Sequence, residues 1–322
     1  MRINNKLKLP KPFVSAVERE YQYKDKQYSV TTILKDVREI LLTRRHHNEI
    51  EQDVADMIWL ILGTAVHKVL EESKAEDVEC KEEHFAEEVE NGYKLSGQAD
   101  LFNIETKTVI DYKTCSVWKV INNDWEDYRK QLLMYAWAFK KMGFEVKKGE
   151  IVAVIKDHSK TKAKVDSSYP QYPVTRKTFK FNKKDFEEIE TFIKEKFKEI
   201  AKYENIPDNE LPICSTEARW NEGDKYAVKK KGNKKATKVF ADLEEAQNFA
   251  SKDENFEIET RKGEDKKCLE YCSCCEFCNY WQENYGGGAG EWCKKRLFRL
   301  QRYIWKASVW SLKRNAMFKR GM

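Results

Sequence analysis

No apolar run in this sequence reaches the roughly 18 residues that a membrane-spanning helix needs. The opening stretch, "MRINNKLKLPKPF", lacks the apolar segment of a secretory leader. Neither sign of charge dominates: 60 Lys and Arg stand against 54 Asp and Glu, a net of +6. An excess that small does not by itself name a nucleic-acid partner, so the distribution of charge must carry the argument. There is no internal repeat. No cysteine precedes Cys80, yet five fall between Cys268 and Cys278. The chain is therefore expected in a reducing cytoplasm, where clustered thiols suggest metal or iron–sulfur ligands before disulfides.

Apolar residues make up 41% of the 322 positions and charged residues 35%, which fits a globular protein with a substantial core and a heavily charged surface. Residues 28–48 open with a helix cap at Ser29 or Thr31 and continue with helical apolar spacing. Residues 51–73 read as one long helix. Its middle, "MIWLILGTAVHKVLEE", is apolar nearly all round and is expected inside the core. Alternation predicts strands at about 84–93, 95–104 and 109–115. A helix at about 125–142 stops at Gly143. The apolar strand "EIVAVIKDHS" follows, and then an amphipathic helix over 183–204. This order predicts an α/β (mixed α+β) fold, a mixed central sheet flanked by helices. Three regions are expected: a core over 1–205, a basic hairpin–helix insert with the cysteine segment over 206–283, and a Gly-rich joint with a basic aromatic tail over 284–322.

The stretch "SGQADLFNIETKTVIDYKT" (96–114) sets two carboxylates and an amine on a hairpin where a sheet favours Val or Thr. Asp100 and Asp111 are equidistant from the point between Glu105 and Thr106. Any even-length turn centred there makes them cross-strand neighbours, with Cβ atoms roughly 5 Å apart. Period-two geometry puts Lys113 on the face of Asp111 and turns Tyr112 the other way. Facing like charges cost stability, and a hard divalent cation removes that cost. A lysine beside such an ion can orient or deprotonate a water for attack on phosphorus. Asp-x-Lys alone is common, and ordinary salt bridging is its bland reading.

Four features in chain order change that judgement: "GTAVH", "GQAD", "DYK" and "QLLMY", spanning about 63–135. Together they resemble the PD-(D/E)XK nucleases, in particular the RecB-like exonuclease branch found in phages. Looser similarity runs on to the cysteine cluster. The resemblance implies a nuclease core and a Mg²⁺- or Mn²⁺-dependent deoxyribonuclease, an exonuclease of phage recombination or DNA processing in a host cytoplasm. A structure-specific or nicking endonuclease on the same scaffold, or a DNA-binding accessory protein with a vestigial site, are the alternatives. It also implies Asp100 and Asp111 as metal carboxylates, Lys113 as the water-activating lysine and His67 as a further metal ligand. Asp111 stands where the family usually has Glu, which shortens the reach to the ion. Gln131 and Tyr135, four residues apart, share a helical face. Their counterparts in the family contact DNA or support the lysine.

Cys268, Cys272 and Cys278 are spaced C-x3-C-x5-C around Cys274 and Cys275. Several RecB-like nucleases hold a [4Fe–4S] cluster on three closing cysteines of similar spacing and one distant cysteine before the nuclease core, a position with no cysteine here. Here Cys214 is the candidate for the fourth ligand. Thiolate ligation also suits tetrahedral Zn²⁺. Lys229, Lys230, Lys231, Lys234, Lys235 and Lys238 crowd one expected hairpin and are assigned to sequence-independent DNA contact. The tail holds ten Lys and Arg and three Trp after Gly290, a composition suited to unpaired bases, an anionic surface or a partner protein. A recombination or single-strand-binding protein is the protein partner considered.

Overall fold

The computed structural model describes residues 1–286 apart from 19–21, 75 and 77, with the side chains of 82 and 83 also left aside. The expected joint and tail, from 287 onward, lie outside the described residues. The elements in chain order begin β1 (Arg2–Asn4), α1 (Lys11–Val17), β2 (Gln27–Ser29), α2 (Val30–Ile33), α3 (Val37–Arg45) and β3 (Glu51–Asp53). The central part comprises α4 (Ile58–Glu72), β4 (Glu79–Glu90), β5 (Tyr93–Asn103), β6 (Thr108–Cys115), α5 (Val117–Ile121), α6 (Glu126–Lys141) and β7 (Lys148–Ile155). Then come α7 (Lys160–Val165), β8 (Val174–Lys180) and α8 (Lys183–Tyr203). The C-terminal part contains β9 (Lys225–Lys230), β10 (Lys238–Phe240), α9 (Leu243–Ala250), β11 (Phe256–Arg261), α10 (Lys266–Glu270) and α11 (Asn279–Tyr285).

Six strands form a mixed sheet in the order β2-β5-β6-β7-β8, with β4 on the remaining edge of β5. Because β4 pairs with β5 along its whole length, β2 and β6 must share the other edge. They share it unequally. β2 runs parallel to residues 94–96 and β6 antiparallel to residues 101–103, so 97–100 sit at a fork. Those four residues are Gly-Gln-Ala-Asp. β6 and β7 then pair in parallel over their full length.

Local chemistry explains the element ends. Ser29 caps α2 by accepting a hydrogen bond from the Thr32 amide, but the expected single helix over 28–48 divides at Lys35 and Asp36 into α2 and α3. Gly143 takes φ +95° just after α6, a conformation that costs a side chain dearly. Asn182 and Asp185 form a reciprocal capping box at the start of α8. α6 is buried from Gln131 to Phe139 and packs with Ile189, Ile193 and Phe197 of α8 in the main core.

One expectation fails. The apolar helix α4 is not buried: Trp59 is 58% exposed and Val69 65% exposed, and none of its residues is fully buried. Its apolar count exceeds what the sheet can cover, and an all-round apolar sequence cannot say which side will meet the sheet. The long helix also begins later than expected, because β3 and a short 3-10 turn occupy 51–57. In the C-terminal part, β11 completes a three-stranded sheet in the order β10-β9-β11, so the basic hairpin has a third strand that the pattern did not announce. Among the described residues no helix is long and apolar enough to cross a membrane.

Candidate active site

The fork in β5 positions the first carboxylate. The ladder between β5 and β6 closes with Leu101 opposite Ile110, and the next opposed pair is Asp100 and Asp111. That register is the one the turn symmetry requires, but the backbone pairing stops one step earlier. Asp100 Oδ2 instead accepts the Tyr112 amide at 2.6 Å, a side chain standing in for a strand carbonyl. Its other oxygen lies 3.1 Å from His67 Nδ1, on α4. Thr114 Oγ1 lies 3.5 Å from where a Cβ on Gly63 would stand, so α4 comes close to β6 one turn before His67.

Asp111 is buried, with 2% of its surface exposed. Lys113 Nζ is 2.6 Å from its Oδ2. Gln131 Nε2 donates to its Oδ1 at 3.3 Å and to the Tyr135 hydroxyl at 2.8 Å. Burial pushes the Asp111 carboxyl up to about 6; Lys113 opposes that rise and the Asp100 charge adds to it. His67 is raised above its ordinary value, chiefly by its hydrogen bond to Asp100. His67–Asp100 and Lys113–Asp111–Gln131–Tyr135 thus form two bonded polar sets side by side across α4, β5, β6 and α6.

Gly97 lets the second set close. A Cβ there would stand 2.8 Å from Phe85 Cζ and 3.0 Å from Tyr135 Cε1, so only glycine admits the tyrosine ring against the fork. The sequence reading did not include Tyr128, whose ring lies 5.5 Å from Lys113 Nζ and 4.4 Å from Lys119 Nζ. Its spacing of three from Gln131 on α6 was the available signal.

Among the described residues no three His, Cys, Asp or Glu side chains converge as a metal site. At the two carboxylates, Asp100 Oδ1 is bonded by His67, while the buried Asp111 Oδ2 is ion-paired with Lys113 but has no hydrogen-bond partner among the described residues. The donor set still suits a hard divalent ion, being two adjacent buried carboxylates beside an imidazole.

The cysteines also gather. Cys214, Cys268, Cys272, Cys274, Cys275 and Cys278 line one cavity, although Cys214 precedes the others by more than fifty positions. Burial pushes the Cys214 and Cys268 thiols up to about 12, and neighbouring sulfurs add to both shifts. Cys274 and Cys278 belong to the main core. Arg38 reaches this cavity with Nη1 3.3 Å from Cys278 Sγ. No sequence signal marks that contact, because 240 residues separate the pair.

The lysines of the insert divide. Lys229 is held by Glu257 at 3.5 Å and Glu259 at 2.9 Å, both on the unforeseen β11, so its charge is neutralised locally. Lys230, Lys231, Lys234, Lys235 and Lys238 are exposed.

A family model of the PD-(D/E)XK nuclease superfamily matches residues 15–282. Among solved structures, SSO0001 is 17% identical with a TM-score of 0.43, over 61% of this chain and 85% of that one. A phage related exonuclease from Haemophilus somnus 129PT is 14% identical with a TM-score of 0.24, over 38% of this chain and 61% of that one. No curated protein matches. With its family model covering the helix, the forked sheet and the cysteine segment alike, the chain belongs to the PD-(D/E)XK nuclease superfamily.

Proposed function

We propose that this nuclease is a metal-dependent deoxyribonuclease, an exonuclease acting in phage recombination or DNA processing. The observation that carries the reading is the buried Asp111 carboxylate, held between Lys113 Nζ at 2.6 Å and the Gln131 amide while lying next to Asp100. A structural salt bridge has no need of a second buried carboxylate, an imidazole and a glutamine–tyrosine brace.

Asp100, Asp111 and His67 would hold Mg²⁺ or Mn²⁺, which when bound supplies Lewis acidity to the scissile phosphate. This chain's residues do the rest. Asp100 is fixed by the Tyr112 amide and Asp111 by Gln131, which Tyr135 in turn orients. Lys113, tethered to Asp111, orients a water and takes or gives its proton at Nζ. The exposed lysines 230, 231, 234 and 235 add salt-sensitive phosphate contacts that suit any DNA sequence. Digestion of end-labelled DNA tests the reading. Loss of label from linear DNA in Mg²⁺ with unlabelled circles left intact on a gel, and the loss abolished by Lys113→Ala with folding intact, supports an exonuclease. Cutting of circles supports the endonuclease alternative. No cutting at all by the wild-type protein leaves only a DNA-binding accessory.

We further infer that Cys214, Cys268, Cys272 and Cys278 hold a [4Fe–4S] cluster or Zn²⁺ that fastens the C-terminal segment to the core. The buried Arg38 supports this. Among the described residues no carboxylate is paired with it, and thiolates are the available counter-charge. Absorbance near 400 nm with iron, sulfide and zinc analysis of anaerobically purified protein separates the two metals, and a metal-free folded protein refutes both.

A further inference from the structure

Two tryptophans stand in water where the site's central strand ends. Trp118 is 59% exposed and Trp59 58% exposed, unusual for the side chain with the largest apolar surface. Trp118 lies three residues beyond Cys115, on α5, which Asp157 and Ser116 pin to the end of β6 through the Val117 and Trp118 amides. Trp59 lies one helical turn before Gly63, the residue that meets Thr114. Both indoles therefore flank the C-terminal end of β6, the strand that carries Asp111 and Lys113. Neither position is explained by packing, since neither ring fills the core.

Beside Trp59 the charge has one preponderant sign, whereas beside Trp118 Lys119 is paired with Asp124 and Asp127. Lys156 Nζ lies over one face of the Trp59 ring, 4.2 Å from its centroid, so a base stacking there would use the opposite face with the cation behind it. Lys156 is exposed, its amide bonds the Cys115 carbonyl, and α7 just beyond it carries three further exposed lysines. Asp157, the one acid between them in sequence, is occupied by the Ser116 hydroxyl and the Val117 amide at the start of α5. A flat apolar surface bordered by lysines fits a nucleobase attached to a phosphate. A lipid or protein surface would not require the tryptophans to be grouped at a nuclease site.

We infer that Trp59 and Trp118 form a stacking platform for unpaired bases of the strand being cut, so that the substrate enters this site single-stranded or frayed. The inference rests on the nuclease reading and adds a binding surface to it. Paired bases in a duplex offer no free faces to the two rings, whereas each unpaired base can stack and add to affinity.

The test is fluorescence anisotropy with the full-length protein in EDTA, using dye-labelled oligothymidylate and a blunt hairpin duplex at one salt concentration. Trp59→Ala and Trp118→Ala should each weaken oligothymidylate binding by roughly five- to hundredfold. Duplex binding should change less than twofold, and Trp→Phe should recover most of the loss. Because both side chains are exposed, thermal melting should be unchanged. Equal losses on both DNAs, or none, overturn the platform, as does a loss of self-association or of vesicle binding in place of DNA binding. The two readings fail separately. Tryptophan-dependent binding without any cleavage sinks the nuclease and spares the platform; unaltered binding with normal cleavage does the reverse.

Discussion

The Arg38 guanidinium lies 3.3 Å from the Cys278 sulfur, and its other acceptors are neutral: the Pro212 carbonyl, the Asn279 amide oxygen and the Leu211 carbonyl. A buried cation with no compensating anion costs several kcal/mol. Arg38→Met should therefore lower the iron or zinc content of the purified protein, because a bound Cys278 thiolate loses the cation at its side. Elemental analysis per chain is the check. Full metal content in the variant would show that Arg38 only packs.

Asp111 gives a prediction with a defined sign. Its folded value of about 6 lies above the ordinary 3.8, so the folded state holds this proton more tightly than the unfolded chain. Metal-free stability from this group therefore rises as pH falls through 6 and is lost above it. At pH 7.5 without divalent ions, Asp111→Asn should melt higher than wild type, by on the order of 1–3 kcal/mol. The same variant should have lost nuclease activity. A lower melting point would mean that the Lys113 pair outweighs desolvation.

The glycine at the fork should be intolerant of a methyl group. Gly97→Ala pushes on two buried ring edges, at about 1–3 kcal/mol for overpacking. Its larger effect should be on catalysis, because displacing Tyr135 frees Gln131 and so Asp111. We expect kcat to fall at least tenfold at a temperature where circular dichroism shows the variant folded. Unchanged kcat would detach Tyr135 from the chemistry.

His46 links pH to the docking of the cysteine segment. Its ring stacks on Phe277 at 4.0 Å between centroids and meets Asp208 at 2.6 Å and Glu49 at 2.8 Å. Burial alone would lower its pKa, but the hydrogen bonds to Asp208 and Glu49 win and raise it. The stabilisation is complete below about pH 6.5 and is lost as pH rises through the elevated value. As pH rises from 6 through that elevated value, wild type should lose stability relative to His46→Gln. Parallel melting curves for the two proteins across that range would remove His46 from this role.

Much of the geometry of the β5–β6 pair was legible because its determinants are local. Turn symmetry about Glu105 and Thr106 sets the register, and period two sets Lys113 on the side of Asp111, whatever the rest of the chain does. The capping of α2 by Ser29, the Gly143 stop and the spacing of Gln131 and Tyr135 are likewise local. Burial was not legible for α4, since an apolar sequence states a preference for an interior without stating whether an interior is available.

What only the tertiary structure decided depends on elements far apart in sequence. β2 and β6 compete for one edge of β5, and their divergence leaves Asp100 to bond Tyr112 by its side chain. β11 pairs with β9 and neutralises Lys229, which composition alone had counted as a free cation. Arg38 meets Cys278 for the same reason. Short-range geometry is written in residue spacing, but a charge's partner and an element's covering are set by whichever distant segment packs there, and those contacts leave no periodic trace in the sequence.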